Sequence, residues 1–183
     1  WGLVHFLMNS PERVYNRVLW EAIAALDPSL ALSENSRQVS ERAFSWVQPE
    51  RFEQDFAEFT LGLPTFNDRV RQGVEEYAAG RLLEAEVSFR ESLGLRADSY
   101  IPHYYLGLIL YQKRAYTEAA EQYRRAQSLG VEPALVSYAL GVNAFAAQQY
   151  DEAAKFLREA KSADPGAYGQ KVDTLLGRIE VLR

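Results

Sequence analysis

Gly73, Gly107 and Gly141 stand 34 residues apart, and the same pattern follows each of them. Alanine comes twelve residues later (Ala85, Ala119, Ala153), a large apolar residue four beyond that (Phe89, Tyr123, Leu157), and a small one three further on (Ser92, Ala126, Ala160). A fixed period of this length marks a repeat array, in which each unit buries its apolar face only by stacking on a neighbour. Such a unit presents a surface but does not by itself name a ligand.

Each unit reads as two helices and a tight turn: Phe66–Ala79 with Leu82–Leu93, Tyr100–Arg114 with Tyr116–Leu129, and Ala134–Gln148 with Tyr150–Ala163. Apolar spacing is helical; Ala153, Phe156, Leu157 and Ala160 follow i, i+3, i+4, i+7. Gly80 marks the first turn, Asp98 and Ser99 are N-cap candidates, and Gly130 is a stop. Pro133 stands at a helix entry and Pro165 past a helix end. A mid-helix glycine costs roughly 1 kcal/mol relative to alanine. Three in register therefore need an offsetting gain. The absent Cβ lets a bulky side chain of the second helix approach, and Phe89, Tyr123 and Leu157 have the complementary shape.

On these residues the chain resembles the tetratricopeptide repeat family. Leu106-Gly107, Ala119, Tyr123 and Ala126 match its pattern in the second unit; Leu140-Gly141, Ala153, Ala160 and Pro165 match it in the third. Glu-Ala-Ala at 118–120 and 152–154 is also typical of the family. The first unit departs, with Gln72 before its glycine, Glu76 in the usual tyrosine place and Ser92 for the late alanine. The expected fold is therefore all-α: a right-handed α-solenoid of three helix pairs over 66–165, in units of about 66–99, 100–133 and 134–167. An N-terminal helical region, 1–65, and a C-terminal capping helix, 168–183, complete it.

The resemblance implies that the first helix of each pair lines a concave groove. Three columns face it: Val70, Tyr104 and Tyr138; Val74, Leu108 and Val142; Tyr77, Tyr111 and Phe145. Ile101 and Leu135 extend the stripe. Family members that hold an acidic C-terminal chaperone peptide place Lys, Arg and Asn there. These positions carry no positive charge, which disfavours that ligand. An apolar, tyrosine-rich trough suits the apolar face of a helix or an extended hydrophobic peptide. A patch of this extent is unusual on a monomer that binds nothing. Two occupants fit the pattern equally: an external protein, or the protein itself through its N-terminal segment or a second copy.

The last helix is expected at Tyr168–Leu182, with Tyr168, Val172, Leu175, Leu176, Ile179 and Leu182 on one face and Gln170, Lys171, Thr174, Arg178 and Arg183 on a solvated one. That is the composition of an array cap. At the other end, Ser10-Pro11 reads as a helix start, and Val14, Val18, Leu19, Ala22, Ile23 and Leu26 form an amphipathic helix ending at Asp27-Pro28. A polar loop, Ser29–Ser36, precedes a short helix through Val39, Ala43 and Val47, and Pro49 starts another with Phe52, Phe56 and Phe59 on one face. This region is expected to stack on the first repeat, as a subdomain or as degenerate pairs continuing the array.

Net charge −5 and pI near 5.2 argue against a nucleic-acid partner. The apolar run Leu3–Met8 is too short to cross a bilayer. The chain opens on Trp1 rather than Met and reads as a trimmed piece, with the cytoplasm favoured and the periplasm as the alternative. Sixteen arginines to four lysines suggest a GC-rich bacterial genome. Neither His5 nor His103 belongs to a cluster with metal-ligand spacing, and no phosphate loop follows a strand. Neither a cofactor nor an enzymatic activity is expected. The leading reading is an adaptor that binds an apolar helix or peptide within a larger assembly. The alternatives are a chaperone of secreted translocator-type clients, as in type III secretion, and a self-associating structural protein.

Overall fold

A computed structural model describes residues 2–182; Trp1 and Arg183, the latter expected on the polar face of the last helix, lie outside them. The chain divides into two compact units, residues 1–63 and 64–183.

The first unit holds α1 (Gly2–Asn9), α2 (Val14–Ala25), α3 (Leu32–Ala43) and α4 (Pro49–Leu61). Its centre is Phe6, fully buried, on the apolar run Leu3–Met8, which lies within α1. The rings of Tyr15, Phe52, Phe56 and Phe59 surround it at 5.0–5.4 Å, mostly edge to face. Pro49 starts α4 at a position where its missing N–H costs nothing. Phe52, Phe56 and Phe59 then turn toward α1 at i, i+4 and i+7. The Tyr15 hydroxyl donates to Asp55 Oδ2 at 2.5 Å, tying α2 to α4. The expected loop Ser29–Ser36 is shorter than the sequence suggests, because α3 begins at Leu32. The polar residue that made it look like loop fixes the turn instead. Asn35 Oδ1 accepts from the Asp27 N–H at 2.8 Å while its Nδ2 donates to the carbonyls of Asp27 and Leu30.

The second unit continues with α5 (Phe66–Ala78), α6 (Leu82–Leu95), α7 (Tyr100–Gln112), α8 (Tyr116–Ser128), α9 (Pro133–Ala146), α10 (Tyr150–Ala163) and α11 (Pro165–Leu182). Each helix packs on the next in chain order, and α5 also meets α7 as α9 meets α11. Contacts confined to sequence neighbours are what a stacked array requires. Thr65 and Asp68 close a capping box at the start of α5. Ser99 occupies the N-cap of α7 without a side-chain hydrogen bond. Pro165 does more than end a helix. It opens α11, whose first turn is capped by Asp164 Oδ1 accepting from the Ala167 N–H at 2.9 Å.

The glycine register has the geometry its spacing implies. A Cβ on Gly107 would lie 2.5 Å from the Tyr123 ring, one on Gly73 2.9 Å from Phe89, and one on Gly141 2.8 Å from Leu157. The turns repeat as faithfully. Gly80, Arg114 and Gln148, again 34 apart, take φ of 74°, 61° and 61°. At each corner the next N–H reaches back to a helix carbonyl at 2.9 Å: Arg81 to Glu76, Ala115 to Leu110, Gln149 to Ala144.

The first repeat differs where its sequence departs. Glu76 is buried, accepting from Ser88 Oγ at 2.7 Å and Gln72 Nε2 at 2.9 Å. On α7, Tyr105 and Ile109 pack on the preceding pair, with Tyr105 stacked on Phe89 at 4.9 Å, and Pro102 is buried. One repeat earlier those places on α5 hold Asp68, Arg71 and Glu75, with Arg71 paired to Asp68 at 2.8 Å. That face of α5 is charged where the same face of α7 is largely apolar.

Candidate functional site

Helices α7 and α9 contain no Asp, Glu, Lys or Arg. On α7 the buried residues are Pro102, Leu106, Gly107 and Ile109, which face neighbouring helices. Ile101, Tyr104, Leu108 and Tyr111, spaced three, four and three, form the adjoining stripe. Leu135, Tyr138, Val142 and Phe145 repeat it on α9, and Val70, Val74 and Tyr77 do so on α5. All eleven residues of this wall are half-buried, neither sealed in the core nor fully solvated.

Eight of them pack on the core clusters. Val74 and Tyr77 pack on the cluster of Ala85, Phe89, Leu106 and Ile109. Tyr104, Leu108 and Tyr111 of α7 and Leu135 of α9 share a cluster around Tyr123 and Leu140. Tyr138 and Phe145 pack on the cluster of Leu157 and Val172. Ring contacts lock the tyrosines, with Tyr77 against Tyr105 at 5.4 Å, Tyr104 against Tyr123 at 5.9 Å and Tyr138 against Tyr168 at 4.9 Å. The Tyr77 hydroxyl accepts from Gln112 Nε2 at 2.8 Å, joining α5 to α7. Burial pushes the Tyr104 phenol up to about 12 and raises Tyr123 and Tyr168 as well. These rings stay neutral at any physiological pH.

One part of the site was not legible beforehand. Lys171 and Arg178 do not lie away from the other helices. Lys171 Nζ stands 6.0 Å from the Tyr138 ring centre and 5.7 Å from that of Tyr168, and Arg178 Cζ stands 5.1 Å from that of Phe145. Tyr168, Lys171, Leu175 and Arg178 keep the three-four-three spacing of the wall, shifted 33 residues from α9. That one-residue slip hides them from a 34-residue alignment. The absence of positive charge holds for the eleven residues but not for the end of the wall. Val172 and Ile179 are buried and Gln170 and Thr174 exposed, while Leu182, expected on the apolar face, is exposed at the end of the helix.

His103 Nδ1 is 2.8 Å from Gln122 Oε1 between α7 and α8, and the His5 ring packs 5.5 Å from Phe59. Among the described residues no three His, Cys, Asp or Glu side chains form a metal-holding group, and no helix is long and apolar enough to cross a membrane.

Neither a protein-family model nor a curated protein matches the sequence. Solved structures match it in shape. MamA from residue 41 to its end, from Desulfovibrio magneticus RS-1, superposes with a TM-score of 0.60 at 20% identity, over 81% of this chain and 84% of that one. The ArsTM double mutant of MamA RS-1 gives 0.60 at 19%, over 81% and 83%. The Cut9–Hcn1 hetero-tetramer of the APC/C gives 0.58 at 17%, over 98% of this chain and 38% of that one. At such identities the likeness is one of fold.

Proposed function

Starting from a tetratricopeptide-repeat-type, all-helical fold, we propose that this protein is a non-enzymatic scaffold that holds an apolar helix or extended segment of a partner protein. The binding face is the wall of Val70, Val74, Tyr77, Ile101, Tyr104, Leu108, Tyr111, Leu135, Tyr138, Val142 and Phe145. The observation that carries this reading is the uniform half-burial of these residues on three successive first helices, two of which contain no Asp, Glu, Lys or Arg. A wall fixed from behind by the core loses little side-chain freedom when covered, so more of the burial energy appears as affinity. Each aromatic fully covered contributes about 2 kcal/mol. Two or three such contacts offset the cost of association. The APC/C neighbour is a hetero-tetramer of Cut9 with Hcn1, in keeping with a fold of this kind engaging a chain of different sequence. The test places a photoreactive phenylalanine analogue at Tyr138 and, as control, at Glu121, an exposed residue on α8. Crosslinking in the native cell is expected from Tyr138 alone and to one defined protein. Equal labelling from both positions, or none from Tyr138, overturns the assignment.

A further inference from the structure

We infer that the segment held by this wall is polarised, with an apolar stretch along α5, α7 and α9 and acidic side chains at the end that meets α11. The inference rests on the scaffold reading above and adds the chemistry of the partner.

The wall changes character along the array. Its residues on α5, α7 and α9 are uncharged, and α7 and α9 contain no Asp, Glu, Lys or Arg. On α11 the equivalent positions present Lys171 and Arg178, both exposed. Seven residues apart, they lie on one side of the helix, separated by about 10 Å. Ring faces hold each in place, Lys171 between Tyr138 and Tyr168 and Arg178 over Phe145. A cation seated on a ring keeps its N–H donors for a further ligand. Neither cation has a carboxylate partner among the described residues. The acids of α11 do not supply one: Asp173 and Glu180 each follow a cation by two residues, about 200° round the helix. Asp173 is instead held by Lys161 at 2.6 Å.

Two positive charges without a salt-bridge partner among the described residues thus close one end of an uncharged apolar strip, on a chain whose net charge is −5. The bulk field repels acidic segments, and these two residues attract one only in a single orientation. Charge placed this way sets register and direction more than total affinity. A segment with basic residues at that end meets like charge and is rejected.

The test uses the full chain and three fluorescein-labelled amphipathic helices of Leu, Ala and Gln. All are amidated at the C-terminus and end in Asp-Glu-Glu, Ser-Ser-Ser or Lys-Lys-Lys. Anisotropy is expected to show the acidic peptide binding about tenfold more tightly than the basic one at low salt, with the gap closing as salt rises. Lys171→Gln/Arg178→Gln removes the preference and Lys171→Glu/Arg178→Glu reverses it, while the serine peptide binds all three proteins alike. Equal binding of the three peptides to the wild type overturns this inference and leaves the scaffold reading standing. If no peptide binds, or if Ile101→Lys/Val142→Lys leaves serine-peptide binding intact, the scaffold reading fails and this inference with it. Sedimentation of the protein alone covers the remaining occupant. A dimer dispersed by Ile101→Lys/Val142→Lys identifies a second copy on the wall and overturns the polarised partner.

Discussion

The two units are both all-helical, yet they are held together in opposite ways. Residues 1–63 converge on one side chain: Phe6 takes the rings of Tyr15, Phe52, Phe56 and Phe59, the last of them 53 positions further along the chain. The described residues of 64–183 have no such centre. They repeat one local device, a glycine filled by the large side chain sixteen positions later, at Gly73–Phe89, Gly107–Tyr123 and Gly141–Leu157. A convergent core concentrates its stability in one residue. A periodic one spreads it over equivalent joints, each contributing modestly. The first arrangement suits a compact body, and the second suits a long surface along which a ligand can lie.

The largest effect that tests this contrast is Phe6→Ala. It should cost unit one about 3–5 kcal/mol, the range for truncating a buried aromatic. All three tryptophans, Trp1, Trp20 and Trp46, precede residue 64, so their emission reports that unit alone. The tryptophan transition in urea should move to lower concentration while most of the helical circular dichroism persists. A common shift of both signals would show that the units do not unfold separately.

Gly107→Ala should cost about 1–3 kcal/mol, because the added methyl meets a ring that the core already confines. Gly177→Ala on α11, where a methyl would meet nothing within 4 Å, should instead stabilise by about 0.5–1 kcal/mol through helix propensity. Thermal melts of the pair that move in the same direction would remove glycine seating from the account of the array.

Alkaline pH gives a third comparison. Burial and the bond to Asp55 raise Tyr15 from 10.0 to about 12. The unfolded chain therefore loses its phenolic proton first. Stability should be unaffected below pH 10 and fall as pH rises from 10 toward 12. Tyr15→Phe should flatten that fall in the tryptophan signal. An unchanged slope would mean that this phenol does not link pH to the folding of unit one.

The smallest effect concerns the corners. Arg114 and Gln148 take the left-handed conformation that Gly80 adopts at no steric cost. Arg114→Gly should therefore raise stability by up to about 1 kcal/mol, less the added freedom of the unfolded chain. A lower melting temperature would show that the arginine side chain outweighs its backbone strain.

Most of the second unit was legible in the sequence because its determinants are local. Period, glycine seat and turn all fall within one 34-residue window, and α10 spans Tyr150–Ala163 as expected. The first unit was harder to read because Phe6 acquires its meaning only from residues about fifty positions away. An eight-residue helix such as α1 is also too short to display a period. The start of α3, LSENS, looked like loop because nothing local shows Asn35 bonding back to Asp27. Lys171 and Arg178 were read as solvated because a helical wheel shows which residues share a side, not what that side faces. The eleven wall residues could be picked out by column, yet the half-burial of most of them follows from how the core built on α6, α8 and α10 supports them.

The identical corners bear on how such a chain changes length. Adding or removing a whole 34-residue block leaves the remaining left-handed turns and glycine seats in register, so the path of the backbone sets no obstacle to either change. The side chains do. Glu86, only 7% exposed, is neutralised by Lys113 of the following unit, and excising residues 100–133 would leave it with Arg90 alone. Duplicating the same block would bring the extra lysine opposite Ala120, where it can reach solvent. Growth of the array should therefore be tolerated better than shrinkage, and melts of the two length variants would register the asymmetry directly.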